Sequence, residues 1–184
     1  SITGSIPTTL CALGHLVSFG ISFCGLSGSI PSCIGTIPSL NSFYVNHNML
    51  TGTLPETIGS LRNFVELNVS TNVITGTIPT SYCDNAVFEF FDISLNSIDG
   101  TLGDCIASWT GLKYLVINSN SLYGTIPNTM GNFSTLLLFL VYGNQFSGYN
   151  QYNHCGILIY TVLIYLLYYG ICIIINTQEQ CRHL

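Results

Sequence analysis

"ITGTIP" occupies residues 74–79. "LTGTLP" stands twenty-four residues earlier, at 50–55, and "IDGTLG" twenty-four later, at 98–103. The apolar residue that opens this hexad serves as a phase mark. It falls at Ile2, Leu26, Leu50, Ile74, Ile98, Leu122 and Phe146, always 24 residues apart. Glycine follows two places later each time, from Gly4 and Gly28 to Gly124 and Gly148. Proline sits five places after the mark at Pro7, Pro31, Pro55, Pro79 and Pro127, and Gly103 takes that place once. A fixed internal period of this length is the signature of a stacked-repeat architecture.

The rest of the unit keeps the same phase. Two places before the mark stand Cys24, Asn48, Asn72, Asn96, Asn120 and Asn144. Five before stand Ile21, Val45, Val69, Ile93, Ile117 and Val141, and seven before Phe19, Phe43, Leu67, Phe91, Leu115 and Phe139. Ten before stand Leu16, Leu40, Phe64, Phe88, Leu112 and Leu136. Apolar residues two apart predict a half-buried strand. One such coil cannot bury its own apolar side, but stacked coils bury it against each other. Glycine admits a backbone conformation closed to other residues, and proline ends the strand-like piece.

Written out, the unit is LxxLxLxxNxLxGxIP. It resembles the leucine-rich repeat, and the "GxIP" ending with the 24-residue period is similar to the plant-type subclass. The resemblance covers residues 1–149. It implies an α/β-class right-handed solenoid of about six coils, with a parallel β-sheet on the concave face and 3₁₀ or irregular turns on the convex face. It also implies that the Asn column hydrogen-bonds backbone groups of the turns. With strands stacked at roughly 4.8 Å, six coils give a body only about 29 Å along its axis. The relatives it brings to mind are receptor-like protein ectodomains and polygalacturonase-inhibitor-like proteins, so the expected role is extracellular recognition of a protein, peptide or glycan.

Composition narrows the function classes. Only 6% of residues are charged and three are Lys or Arg, which leaves no basic patch for nucleic acid. Eight cysteines without a CxxC pair argue against a zinc ribbon and for an oxidising, extracellular setting. Cys11 and Cys33 lie 22 apart, as do Cys83 and Cys105, in equivalent phases of adjacent convex coils. Disulfides Cys11–Cys33 and Cys83–Cys105 are expected, the alternative being buried free thiols; Cys24 reads as a core thiol. His15, His47, His154 and His183 share no ligand spacing, so no metal and no cofactor is expected. Glu66 and Asp92 could face each other, but an open solenoid face offers no pocket to split their pKa values, and no enzyme is expected.

The outward positions of the strand motif follow by phase, eight, six and four residues before the mark, the last column being Ser22, Asn46, Ser70, Ser94, Asn118 and Tyr142. At the centre of the concave array they place Tyr44, Glu66, Phe90, Asp92 and Tyr114 together, as aromatics beside carboxylates suited to a protein, peptide or sugar. Two glycosylation sequons occur, at Asn68 on the concave strand and at Asn132 on the convex side. A second outward ladder, "SGS" at 27–29 and "TGT" at 51–53 and 75–77, sets hydroxyls in rows, which leaves ice binding as a further alternative. After Phe146 the pattern stops. Residues 150–184 form an apolar tail in which 156–175 carry no charge and are long enough, as a helix, to span a bilayer. That stretch is expected to anchor the chain in a membrane, to cap the last coil, or to be a disordered end. A secreted structural or adhesive solenoid that self-associates end to end is the competing reading.

Overall fold

The computed structural model describes residues 2–84, 87–147 and 173–174. The side chains of Cys105 and Asn132 lie outside the described set, as does the stretch 156–175 apart from Ile173–Ile174.

Each 24-residue unit makes two short strands and one 3₁₀ turn. The strands that open the units follow the glycine column: β1 (Thr3–Ser5), β3 (Gly25–Ser29), β5 (Met49–Thr51), β7 (Thr75–Thr77), β9 (Ser97–Asp99), β11 (Tyr123–Thr125) and β13 (Gln145–Ser147). The strands built on the apolar alternation are β2 (Ser18–Gly20), β4 (Ser42–Tyr44), β6 (Glu66–Asn68), β8 (Phe90–Asp92), β10 (Tyr114–Val116) and β12 (Leu138–Leu140). These six are parallel neighbours in chain order, and a short strand, β14 (Ile173–Ile174), lies antiparallel against β12. Register advances by one repeat per strand: Ser18 opposes Ser42, Ser42 opposes Glu66, Glu66 opposes Phe90, Phe90 opposes Tyr114 and Tyr114 opposes Leu138. Identical phase is therefore identical position on the face.

The 3₁₀ turns cover Thr8–Ala12, Ser32–Thr36, Glu56–Ser60, Thr80–Asp84, Asp104–Ser108 and Asn128–Asn132. Proline ends the strand run immediately before the turn, at φ −75° for Pro7, −63° for Pro31, −67° for Pro55 and −57° for Pro127. Gly103 holds the same conformation, φ −65° and ψ 154°, without the ring. Turns of successive coils pack closely. A Cβ on Gly59 would fall 2.2 Å from the Ser81 carbonyl oxygen, and one on Gly35 2.2 Å from that of Thr57.

The core is one continuous column. Phe64, Leu67, Val69 and Ile74 are buried, and so are their counterparts in the coils on either side. Tyr82, Phe88, Phe91 and Trp109 add a cluster of rings, with Phe88 and Trp109 centroids 4.8 Å apart. The two polar tips in this cluster find carbonyls: Tyr82 Oη donates to Pro55 O and Trp109 Nε1 to Tyr82 O.

The Asn column supplies the polar interior. Asn72 Oδ1 accepts the N–H of Leu50, and its Nδ2 donates to the carbonyls of Val45, Val69 and Ser70. Asn48, Asn96, Asn120 and Asn144 repeat this set one coil further along each time. One residue before this column the backbone is left-handed without glycine, at Phe23, His47, Thr71, Leu95 and Ser119, φ 53–55°. Each costs about 1–2 kcal/mol. The conformation persists because each of these N–H groups reaches the next coil, as His47 N does to Ser70 O and Thr71 N to Ser94 O.

Cys11 and Cys33 are joined, with Cα atoms 5.8 Å apart. Cys83 is also disulfide-bonded, while the side chain of Cys105 lies outside the described residues. Cys24 is a half-buried free thiol. Among the described residues no helix is long and apolar enough to cross a membrane.

Candidate functional site

The central strands present two rows of outward side chains. The first row runs Ser42, Glu66, Phe90, Tyr114 and Leu138; the second, two residues further along each strand, runs Tyr44, Asn68, Asp92, Val116 and Leu140. The residues between them, Phe43, Leu67, Phe91, Leu115 and Phe139, point into the core. Strict alternation leaves both rows on the open side of the sheet, except at Ser42, which is buried and donates its hydroxyl to Asn41 Oδ1.

The five residues expected at the centre are brought together by this register. Phe90 and Tyr114 are adjacent, ring centroids 5.8 Å apart and tilted by 48°. Glu66 stands beside Phe90 on the neighbouring strand, and among the described residues its carboxylate has no hydrogen-bond or ion-pair partner. Asp92 is two residues beyond Phe90. Tyr44, on β4, opposes Asn68, which opposes Asp92.

Asp92 is held firmly. Its Oδ1 accepts the Ser94 N–H at 3.0 Å and the Ser94 hydroxyl at 2.7 Å. Burial raises its carboxyl above the usual 3.8, while the hydrogen bonds from Ser94 and from the Ser70 hydroxyl, and the nearby His47, pull the other way. Asn68 makes the same local turn one coil earlier: its Oδ1 accepts from Ser70 N at 3.1 Å and from Ser70 Oγ at 2.7 Å. The sequon asparagine on this face is thus engaged with its own sequon serine.

Two features of the site differ from the reading by phase. The next column, counted as outward, contains Ser70, Ser94 and Asn118, and these are buried. They lie where the strand ends and turns, and the Ser70 and Ser94 hydroxyls bond back to Asn68 and Asp92 of the second row. The second feature is an ion pair at the edge of the rows, Lys113 Nζ to Glu89 Oε2 at 2.6 Å, which raises the lysine pKa. The signal for it was present: residues of opposite sign at equal phase in adjacent coils.

Elsewhere, outward hydroxyls of the glycine-column strands stand exposed in rows, including Thr51, Thr53, Thr75 and Thr77. A groove of about 310 Å³ opens beside Gly103, with Ile78, Pro79, Leu102 and Trp109 in its lining. Among the described residues no group of three His, Cys, Asp or Glu side chains is placed to hold a metal ion.

A family profile described as Leucine Rich Repeat matches residues 39–61 and 111–133. No curated protein sequence matches the chain. Among solved structures, the plant peptide hormone receptor RGFR1 in complex with RGF2 is similar at 30% identity and TM-score 0.77, over 78% of this chain and 23% of the receptor chain. The Arabidopsis receptor kinase HAESA, in complex with the peptide hormone IDA and the co-receptor SERK1, is similar at 28% identity and TM-score 0.75, over 79% of this chain and 24% of HAESA. The chain thus spans about a quarter of the length of these receptor chains. A plant ice-binding protein aligns at TM-score 0.74 over 78% of this chain and 46% of its own, with 23% identity, a likeness of fold alone. Periodicity, sheet register, the asparagine ladder and these likenesses agree that the chain is a plant-type leucine-rich-repeat protein.

Proposed function

We propose that this solenoid is an extracellular recognition module that binds a peptide or an extended protein segment across its central sheet. The observation that carries the reading is the in-register group Tyr44, Glu66, Phe90, Asp92 and Tyr114, which sets ring faces and carboxylates on a rigid parallel scaffold. Aromatic side chains supply large contact area at low entropic cost, and a continuous backbone ladder fixes their spacing. The resemblance to peptide-hormone receptors supports a peptide as the ligand and the cell surface as the setting. Disulfides support an oxidising compartment.

The test is selection of a displayed library of random dodecapeptides on the folded chain, followed by hydrogen exchange of the chain with a selected peptide. Protection should concentrate on β4, β6, β8 and β10, and Phe90→Ala should weaken binding. Protection confined to the 3₁₀ turns would move the site to the other face.

A second reading rests on the rows of exposed hydroxyls in the strands of the glycine column. In this strip Ser29 stands beside Thr51 and Thr53 beside Thr75, and exposed Met49, Asp99 and Tyr123 interrupt the hydroxyls. Ice binding through this strip requires thermal hysteresis that is lost on Thr53→Tyr with Thr77→Tyr. An unchanged freezing point for the unmodified protein removes the reading.

A further inference from the structure

Given the central sheet as the binding face, we infer that the ligand is an extended peptide carrying one basic side chain for the Glu66–Phe90–Asp92 corner and an aliphatic side chain about three residues away. Charge complementarity argues the first half. Of the Lys and Arg residues described, Arg62 belongs to the convex segment and Lys113 is held by Glu89. Glu66 has no hydrogen-bond or ion-pair partner among the described residues and feels Lys113 only at longer range, and Asp92 is hydrogen-bonded only through neutral hydroxyls and a backbone N–H, with His47 nearby. The half-buried Glu66 carboxylate beside the tilted Phe90–Tyr114 pair offers a cation both a counter-charge and an aromatic face. A guanidinium gains from each of these, and partial burial keeps the attraction from being screened as it would be in open water.

The change of character along the same two rows argues the second half. Beyond Phe90 and Asp92 the rows continue as Tyr114 and Val116, then Leu138 and Leu140, half-buried and aliphatic. Two strand steps separate Asp92 from Leu140. At about 4.8 Å per step and 3.3 Å per residue of extended chain, that is about 10 Å, or three residues of ligand. A peptide laid across the strands therefore meets the corner and the aliphatic patch at a fixed separation, with its basic end toward β6 and its apolar end toward β12.

The same selection of random dodecapeptides on the full chain tests this, read now for sequence. Selected peptides are expected to carry Arg or Lys two to four residues from Leu, Ile, Val or Phe. Their affinity should fall about tenfold on Glu66→Gln combined with Asp92→Asn, and should weaken with added salt. Asp92→Asn preserves the local turn, since Asn68 makes the same two bonds one coil earlier; Leu138→Ser independently probes the aliphatic half. Peptides that depend on Phe90 but show no basic preference, and that bind the double variant unchanged, would overturn this inference and leave the central face as the site. Selected peptides indifferent to both Phe90→Ala and Tyr44→Ala would remove the site as well.

Discussion

Asn72 accepts from Leu50 in the preceding coil and shares its two Nδ2 protons among three carbonyls of both coils. Replacement by alanine strands that N–H and those carbonyls in a dry interior. Asn72→Ala should therefore cost roughly 2–4 kcal/mol, seen as a lower urea midpoint at unchanged slope. A loss below 1 kcal/mol would mean that water replaces the ladder. Asp92 makes a prediction of opposite sign. Its carboxyl is raised in the folded protein, chiefly by burial. The folded state therefore binds the proton more tightly than the unfolded one. That contribution to stability is present in full below the ordinary value of 3.8 and is lost as pH rises through the folded value. Asp92→Asn should accordingly be more stable than the unmodified chain at pH 7, and the advantage should shrink as pH is lowered through the carboxylate range. Thermal melts of both proteins from pH 7 to pH 3 measure it.

The 3₁₀ turns and the strands before them divide glycines into two kinds. Gly103 occupies the proline column in the backbone conformation that the prolines hold. Gly103→Pro should raise stability by about 0.4–1 kcal/mol through the unfolded chain and narrow the groove above Trp109. Gly59 is set against the next turn, where a methyl group would sit 2.2 Å from a carbonyl oxygen. Gly59→Ala should destabilise by about 1–3 kcal/mol, and calorimetry of the pair should show melting shifts of opposite sign. The strands were legible in the sequence because their rule is local: one phase mark places Leu67 and Val69 inside and Glu66 and Asn68 at the open side. The turns were not. Between the proline and the next strand the spacing rule names few positions, so the burial of Tyr82 and Trp109 depends on which carbonyls of the adjacent coil lie within reach of their polar tips. Ser70 and Ser94 escaped for a related reason. Phase counts residues along the strand but does not show that the chain has already begun to turn.

At the scale of the whole molecule, coils contact only their neighbours, so perturbations should stay local. The Cys11–Cys33 link closes a loop of 22 residues between the first turn and the second. Removing it with Cys11→Ser and Cys33→Ser should cost about 3 kcal/mol, and hydrogen exchange should quicken in residues 2–36 while β8 and β10 keep their protection. Uniform loss of protection would show that the solenoid unfolds as one unit. The central five-residue group was legible for the same reason as the strands, since register turns equal phase into adjacency.

The asparagine ladder also has a direction. Every Asn from Asn48 to Asn144 reaches back to backbone groups of the coil made before it. On a ribosome releasing about 5–20 residues per second, a new coil takes on the order of seconds to appear. Each arriving asparagine then finds its partners already in place, so the order of translation matches the order in which the stack can be closed.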